Sequence, residues 1–179
     1  MSRATTSTAM VLLAALATPV YGQMSVSETH QYASLQSESV ASFVSSLEAK
    51  STGCDDPMIG SIEQGIANLD ARLADLDGMA FSTRSGAGTR HIALRQLRLS
   101  APLIVDSWRN FATGLLKARC LDEADRVYRK MLTSYAGTTF ASVRDEAKVG
   151  IDDVRSARMN AQSQQVQSQE PSMDNAGHK

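Results

Sequence analysis

The stretch WRNFATGLLKARCLDEADRVYRKMLTSYA, residues 108–136, decides the fold. Trp108, Phe111, Ala112 and Leu115 recur at i, i+3, i+4 and i+7, one face of a helix with about 3.6 residues per turn. Cys120-Leu121-Asp122 interrupts that face, and Asp122 is placed to accept a hydrogen bond from the free N–H groups that open a following helix. A second face follows in Ala124, Tyr128 and Met131, again four and three residues apart. Ala112 and Ala124 are small enough to let two backbones approach, while Trp108 and Tyr128 fill the space around that contact. The spacing therefore predicts a helical hairpin.

Upstream, Ser25-Val26-Ser27-Glu28 has the form of a capping box. Tyr32, Leu35, Val40, Phe43 and Leu47 drift along one face of the helix it opens, and Gly53 is placed to end it. Asp56-Pro57 opens the next helix, an N-cap acid followed by the residue best tolerated in a first turn. Ile59, Ile62, Ile66, Leu69, Leu73 and Leu76 then alternate steps of three and four up to Asp77-Gly78. This seam reads first as intramolecular core and second as a contact between copies of the chain, which leaves a homo-oligomer open.

Phe81 to Thr89 reads as a loop centred on Ser85-Gly86-Ala87-Gly88, and no Gly-Lys-Ser/Thr follows to make it a phosphate cradle. From Arg90 a helix is predicted with Ile92, Leu94, Leu97 and Leu99 inward and Arg90, Arg95 and Arg98 outward. Ser100-Ala101-Pro102 breaks or kinks it before the Trp108 helix. The three arginines read as a solvated face with local acid pairs, or as a set that recognises an acidic partner or phosphate.

The amino terminus reads as a secretory leader: Arg3, an apolar run from Ala9 to Ala17, and Val20-Tyr21-Gly22 before a cleavage site at Gln23. The apolar run is shorter than the roughly 20 residues a membrane-spanning helix needs. Removing 22 of 179 residues leaves 157, one domain's worth of chain, with a net charge of −2 from 17 basic and 19 acidic side chains. That balance argues against a nucleic-acid partner. In an oxidising periplasmic or extracellular compartment, Cys54 and Cys120 read as one disulfide, worth roughly 4 kcal/mol in the chain-entropy model, against the alternative of two buried thiols. The Gln- and Ser-rich tail, residues 160–179, has the composition of a disordered segment, so the helical domain is placed at residues 23–159.

Between Val105 and Thr138 the chain resembles the tetratricopeptide repeat family over about one 34-residue period. The pattern of large, large-small and large on the first helix, then small and aromatic on the second, carries the resemblance. Met131 stands where the family usually has a small residue, and Ala136 where proline often closes the repeat. Tyr135-Ala136-Gly137-Thr138 is similar to the closing turn of envelope-associated repeat proteins, and Ala141, Ala147, Gly150, Ile151 and Val154 suit the first helix of a next repeat. The resemblance implies an all-α bundle or short solenoid of antiparallel helix pairs that binds a protein or peptide. It places Asp106, Arg109, Thr113, Leu116 and Lys117 along the ligand-facing side, with Arg109 and Lys117 holding carboxylates or carbonyls.

No catalytic, cofactor or metal constellation is expected. His30, His91 and His178 are scattered, the two cysteines lack metal or redox spacing, and no nucleophile elbow or His-Glu-x-x-His helix occurs. The one acid worth following is Glu63, the only glutamate on the best-patterned helix and the candidate proton donor of a helical muramidase.

Overall fold

The computed structural model describes residues 26–134 and 141–169, with burial defined for residues 28–134 and 143–165. The leader, Ser25 of the capping box, the Tyr135–Thr138 turn and residues 170–179 lie outside the described residues. Five helices are described: α1 Val26–Glu48, α2 Met58–Phe81, α3 Ala87–Lys117, α4 Leu121–Thr133 and α5 Ala141–Gln169. No strand occurs among the described residues, so the fold is an all-α helical bundle.

The central helix is α3, which packs against each of the other four. Phe43 meets Phe111 with ring centroids 6.1 Å apart, so the end of α1 lies beside the end of α3 and the two run in the same direction. Between them α2 runs back, its seam facing inward. All six seam residues are at most 4% exposed in the single chain, so the seam is intramolecular. Helices α4 and α5 form a pair of their own, docked on α3 through Trp108, Phe111, Ala112 and Leu115 facing Ala124, Val127, Tyr128 and Met131, all buried.

Local chemistry explains the ends of the elements. Asp56 caps α2, its Oδ1 accepting the Met58 N–H at 2.8 Å. Asp122 does not cap α4: Cys120 occupies that position, and Asp122 instead pairs with Arg158 of α5 at 2.5 Å. Gly53 is not the end of α1 either. Lys50 takes the left-handed conformation there (φ 54°), and Lys50 and Ser51 donate back to Leu47 and Ser46. Arg119 (φ 67°) ends α3 in the same way, with Arg119 and Cys120 donating to Leu116 and Leu115. Cys54 and Cys120 lie just beyond these two caps and form a disulfide with Cα atoms 5.2 Å apart.

The largest departure from expectation is in α3. Pro102 neither breaks nor ends it, and the helix is continuous from Ala87 to Lys117. Pro102 is exposed, so the carbonyl that loses its partner faces the solvent side. An unbroken helix keeps one phase. Extending the Trp108 face backward therefore buries Ser100, Gln96 and Ala93 and turns Ile92 and Leu99 outward, 46% and 43% exposed. In α1, Leu35 is likewise outside at 53%, while Thr29 and Ala33 join Val40, Phe43 and Leu47 in the core. Composition predicts disorder from residue 160, yet α5 runs on through Gln169, with residues 160–165 all exposed.

Gly114 sets the closeness of α1 and α3: a Cβ there would lie 2.6 Å from Val44 Cγ2, and Val44 is too short and stiff at χ1 to move aside. Gly114→Ala is expected to cost about 1–3 kcal/mol by overpacking. Adding Val44→Ala should recover part of that loss, measured as the coupling in a denaturant-unfolding double-mutant cycle. Strict additivity of the two changes would mean that the helices are not in contact there.

Candidate functional site: the Arg109 face

Arg109 sits where α3 meets α5. Its Nε donates to Glu146 Oε2 at 2.6 Å and its Nη2 to Oε1 at 3.0 Å, a forked pairing across helices. Nη1 donates to Asp106 Oδ1 at 2.6 Å, one turn earlier on α3. Glu146 raises the Arg109 guanidinium further above its already high value, against a lowering by partial burial.

A cleft of about 570 Å³ opens beside this pair between α3, α4 and α5. Arg109, Thr113 and Tyr128 form one side; Asp145, Glu146, Val149 and Asp153 form the other, with Val149 61% exposed. Gly150 lets α5 press on the Tyr128 ring, which a Cβ at that position would overlap. A second cleft of about 410 Å³ lies between α1 and α3, bounded by Ala41, Val44, Arg109, Thr113 and Lys117 among others. Arg109 and Thr113 therefore stand on the wall that both clefts share.

Of the five candidate positions, Arg109, Thr113 and Lys117 fall at i, i+4 and i+8 on the open side of α3. Asp106 is exposed and serves as the second carboxylate on Arg109. Leu116 is turned toward the core instead, half-buried against it. Sequence reasoning did not find Glu146, Val149 or Asp153. Gly150 was the one available signal on α5, a small residue at a buried helix position.

Burial pushes the Tyr128 phenol above its ordinary value, helped by Asp153 and Glu146 and opposed by a hydrogen bond with Thr113. A phenol whose folded value is raised contributes stability that is present below about pH 10 and lost as pH climbs through the raised value. The protein is thus expected to weaken on the alkaline side, and Tyr128→Phe to flatten that loss. Parallel unfolding curves across that range measure it, and an unchanged slope in the variant would assign the loss to other groups.

A third cleft, about 500 Å³, lies between α2 and α4 over Trp108 and includes Asp70, Lys130 and Ser134. The Trp108 side chain is 1% exposed, and its Nε1–H has no hydrogen-bond partner among the described residues. Nearby, Glu63 is 4% exposed with both oxygens engaged: Oε2 accepts from Arg126 at 3.0 Å, and Oε1 pairs with Lys130. Glu63 is therefore an interhelical ion-pair partner joining α2 to α4. Among the described residues no cluster of three or more His, Cys, Asp or Glu is placed to hold a metal ion. No described helix is long and apolar enough to cross a membrane.

Comparison of the chain with protein-family models, curated proteins and solved structures returns no match. The residues themselves carry the functional argument.

Proposed function

We propose that this chain is an exported, tetratricopeptide-like helical module that binds a segment of another protein along α3, as a scaffold within a cell-envelope complex. The observation that carries the reading is the stripe Arg109, Thr113 and Lys117, of which Arg109 and Thr113 line two clefts at once and Lys117 the cleft between α1 and α3. Arg109 and its two carboxylates are 39%, 43% and 53% exposed, and pairs this open are worth about 0–1 kcal/mol. Arg109 therefore exchanges Glu146 for a partner's carboxylate at small cost, while Val149 offers apolar area beside it. The leader-like amino terminus supports export, and the Cys54–Cys120 disulfide is compatible with an oxidising compartment. The reading assigns no catalytic residue and no cofactor.

The test is crosslinking in the cell followed by co-purification, with the native chain beside Arg109→Gln/Lys117→Gln and Thr113→Lys. The last variant places a long side chain on the shared wall while keeping Arg109 and both its carboxylates. A partner captured by the native chain and lost by both folded variants supports the α3 face. Equal capture by all three moves the interface elsewhere. The mass of the exported protein checks the compartment, which requires a chain beginning at Gln23.

A further inference from the structure

The run from Gly78 to Val105 carries four arginines and a histidine and no aspartate or glutamate, in a chain of net charge −1. It builds the end of α2, the connecting loop and the first half of α3. At about 100° per residue, His91, Ile92, Arg95, Arg98, Leu99 and Pro102 share an arc about 120° wide. All six are exposed.

Two features of this surface are unusual for a solvated face. First, its charges are unquenched. Neither Arg84, Arg90, Arg95 nor Arg98 forms an ion pair with a described residue; Arg119 and Arg144 also form none, but only here do four such cations follow one another with no acid between them, and Arg109, Arg126, Arg129, Arg155 and Arg158 are paired. The positions three and four away from Arg95 are His91, Ile92, Arg98 and Leu99, so the local acid pairs that ordinarily neutralise such a face are missing here. Second, apolar side chains are interleaved with the cations. Phe81 at the hairpin tip is 70% exposed, and Met79, Ile92 and Leu99 are 38%, 46% and 43% exposed. A hollow of about 260 Å³ on the same face is bounded by His91, Leu94, Arg95, Arg98 and Leu99, a cationic rim with an apolar floor.

Water serves neither feature well. An anionic lipid interface serves both: guanidinium groups fork onto phosphate oxygens, and Phe, Ile and Leu leave water for the boundary between headgroups and acyl chains. A polyanion such as nucleic acid would satisfy the arginines alone and leave the apolar residues wet. We propose that the α2–α3 tip docks peripherally on a bilayer rich in anionic phospholipid. Arg95 and Arg98 on the arc and Arg84 in the loop take the phosphates, and Phe81, Ile92 and Leu99 enter the interface. Ile92 and Arg109 are separated by about 25 Å along α3, so docking at the tip leaves the Arg109 clefts open.

Co-sedimentation of the full chain from Gln23 with phosphatidylcholine vesicles, and with vesicles of equal phosphatidylcholine and phosphatidylglycerol, tests this. Binding is expected only to the mixed vesicles and to fall steeply as salt is added. Arg95→Gln/Arg98→Gln should weaken it about 30-fold, from the usual contribution of a basic residue near an anionic surface. Ile92→Ser/Leu99→Ser, with every charge retained, should weaken it about 10-fold or more. All four positions are exposed, so helical circular dichroism should be unchanged. In Phe81→Trp the new indole should shift to shorter emission wavelength on binding, while buried Trp108 stays silent. Equal binding to neutral vesicles, no binding to mixed vesicles at low salt, or native affinity in either double variant would each overturn the proposal. So would a preference for soluble polyglutamate over lipid, which would reassign the surface to an acidic protein.

Discussion

Reduction of the Cys54–Cys120 disulfide is expected to lower the free energy of unfolding by about 4 kcal/mol, seen as a fall in Tm of about 10 °C. The reason is the 66-residue separation of the two cysteines, which closes a long loop in the unfolded chain. In the native bundle that loop is already closed by the packing of α1 on α3, so the bond restricts chiefly the unfolded ensemble. The two sulfurs differ in setting: Cys120 is 2% exposed, whereas Cys54 lies on the surface. Cys54→Ala should therefore reproduce the effect of reduction. Cys120→Ser should cost more, because it adds a hydroxyl to an apolar site. A loss below about 1 kcal/mol on reduction would show that residual structure already holds these ends together in the unfolded chain.

Trp108→Ala is the single substitution expected to cost most, about 3–5 kcal/mol, since it removes the largest side chain from a closed core. Trp108→Phe should cost far less. Part of the lost volume is offset because the substitution also removes an N–H that is buried without a partner. The pair of variants separates volume from polarity in one denaturant series. If phenylalanine proved as damaging as alanine, the indole nitrogen must be satisfied in solution, and a water entering the cleft over Trp108 would be the first place to look.

What the sequence made legible follows the strength of each local rule. The Ile59–Leu76 seam kept its period without interruption, and every member is in the core. The hairpin around Cys120 was readable for the same reason, and with only two cysteines the disulfide had one possible pairing. The first half of α3 departs from the sequence reading because Pro102, expected to break the helix, lies inside a continuous one. In the continuous helix Ala93, Gln96 and Ser100 take the buried positions and Leu94 and Leu97 stay half-buried against the core, while Ile92 and Leu99 turn outward. The helix ends at Lys50 and Arg119 gave no signal, because a left-handed cap is legible mainly when glycine supplies it.

The site was less legible than the fold. Thr113 and Lys117 came from the resemblance to the repeat family, and they do share the open side of α3 with Arg109, whereas Leu116 turns toward the core. The fork from Arg109 to Glu146 spans 37 residues and depends on how α5 is rotated against α3, which no local pattern encodes. Glu63 shows the same limit. It flanks the seam, and its burial between α2 and α4 depends on Arg126 and Lys130 arriving from another hairpin.

The covalent tie lies at one end of the α1–α2–α3 bundle, and the loop at residues 82–86 lies at the other. At that far end α1 and α3 contribute Thr29, Ala33, Ala93, Gln96 and Ser100, and the Thr29, Gln96 and Ser100 side-chain oxygens have no partner among the described residues. Amide protons around the loop should accordingly exchange first and those beside the cysteines last, in a gradient along the long axis. Trypsin cutting after exposed Arg84 would leave two pieces, one holding Cys54 and the other Cys120. The nicked molecule should migrate as a single species until reductant is added, and only then separate into halves.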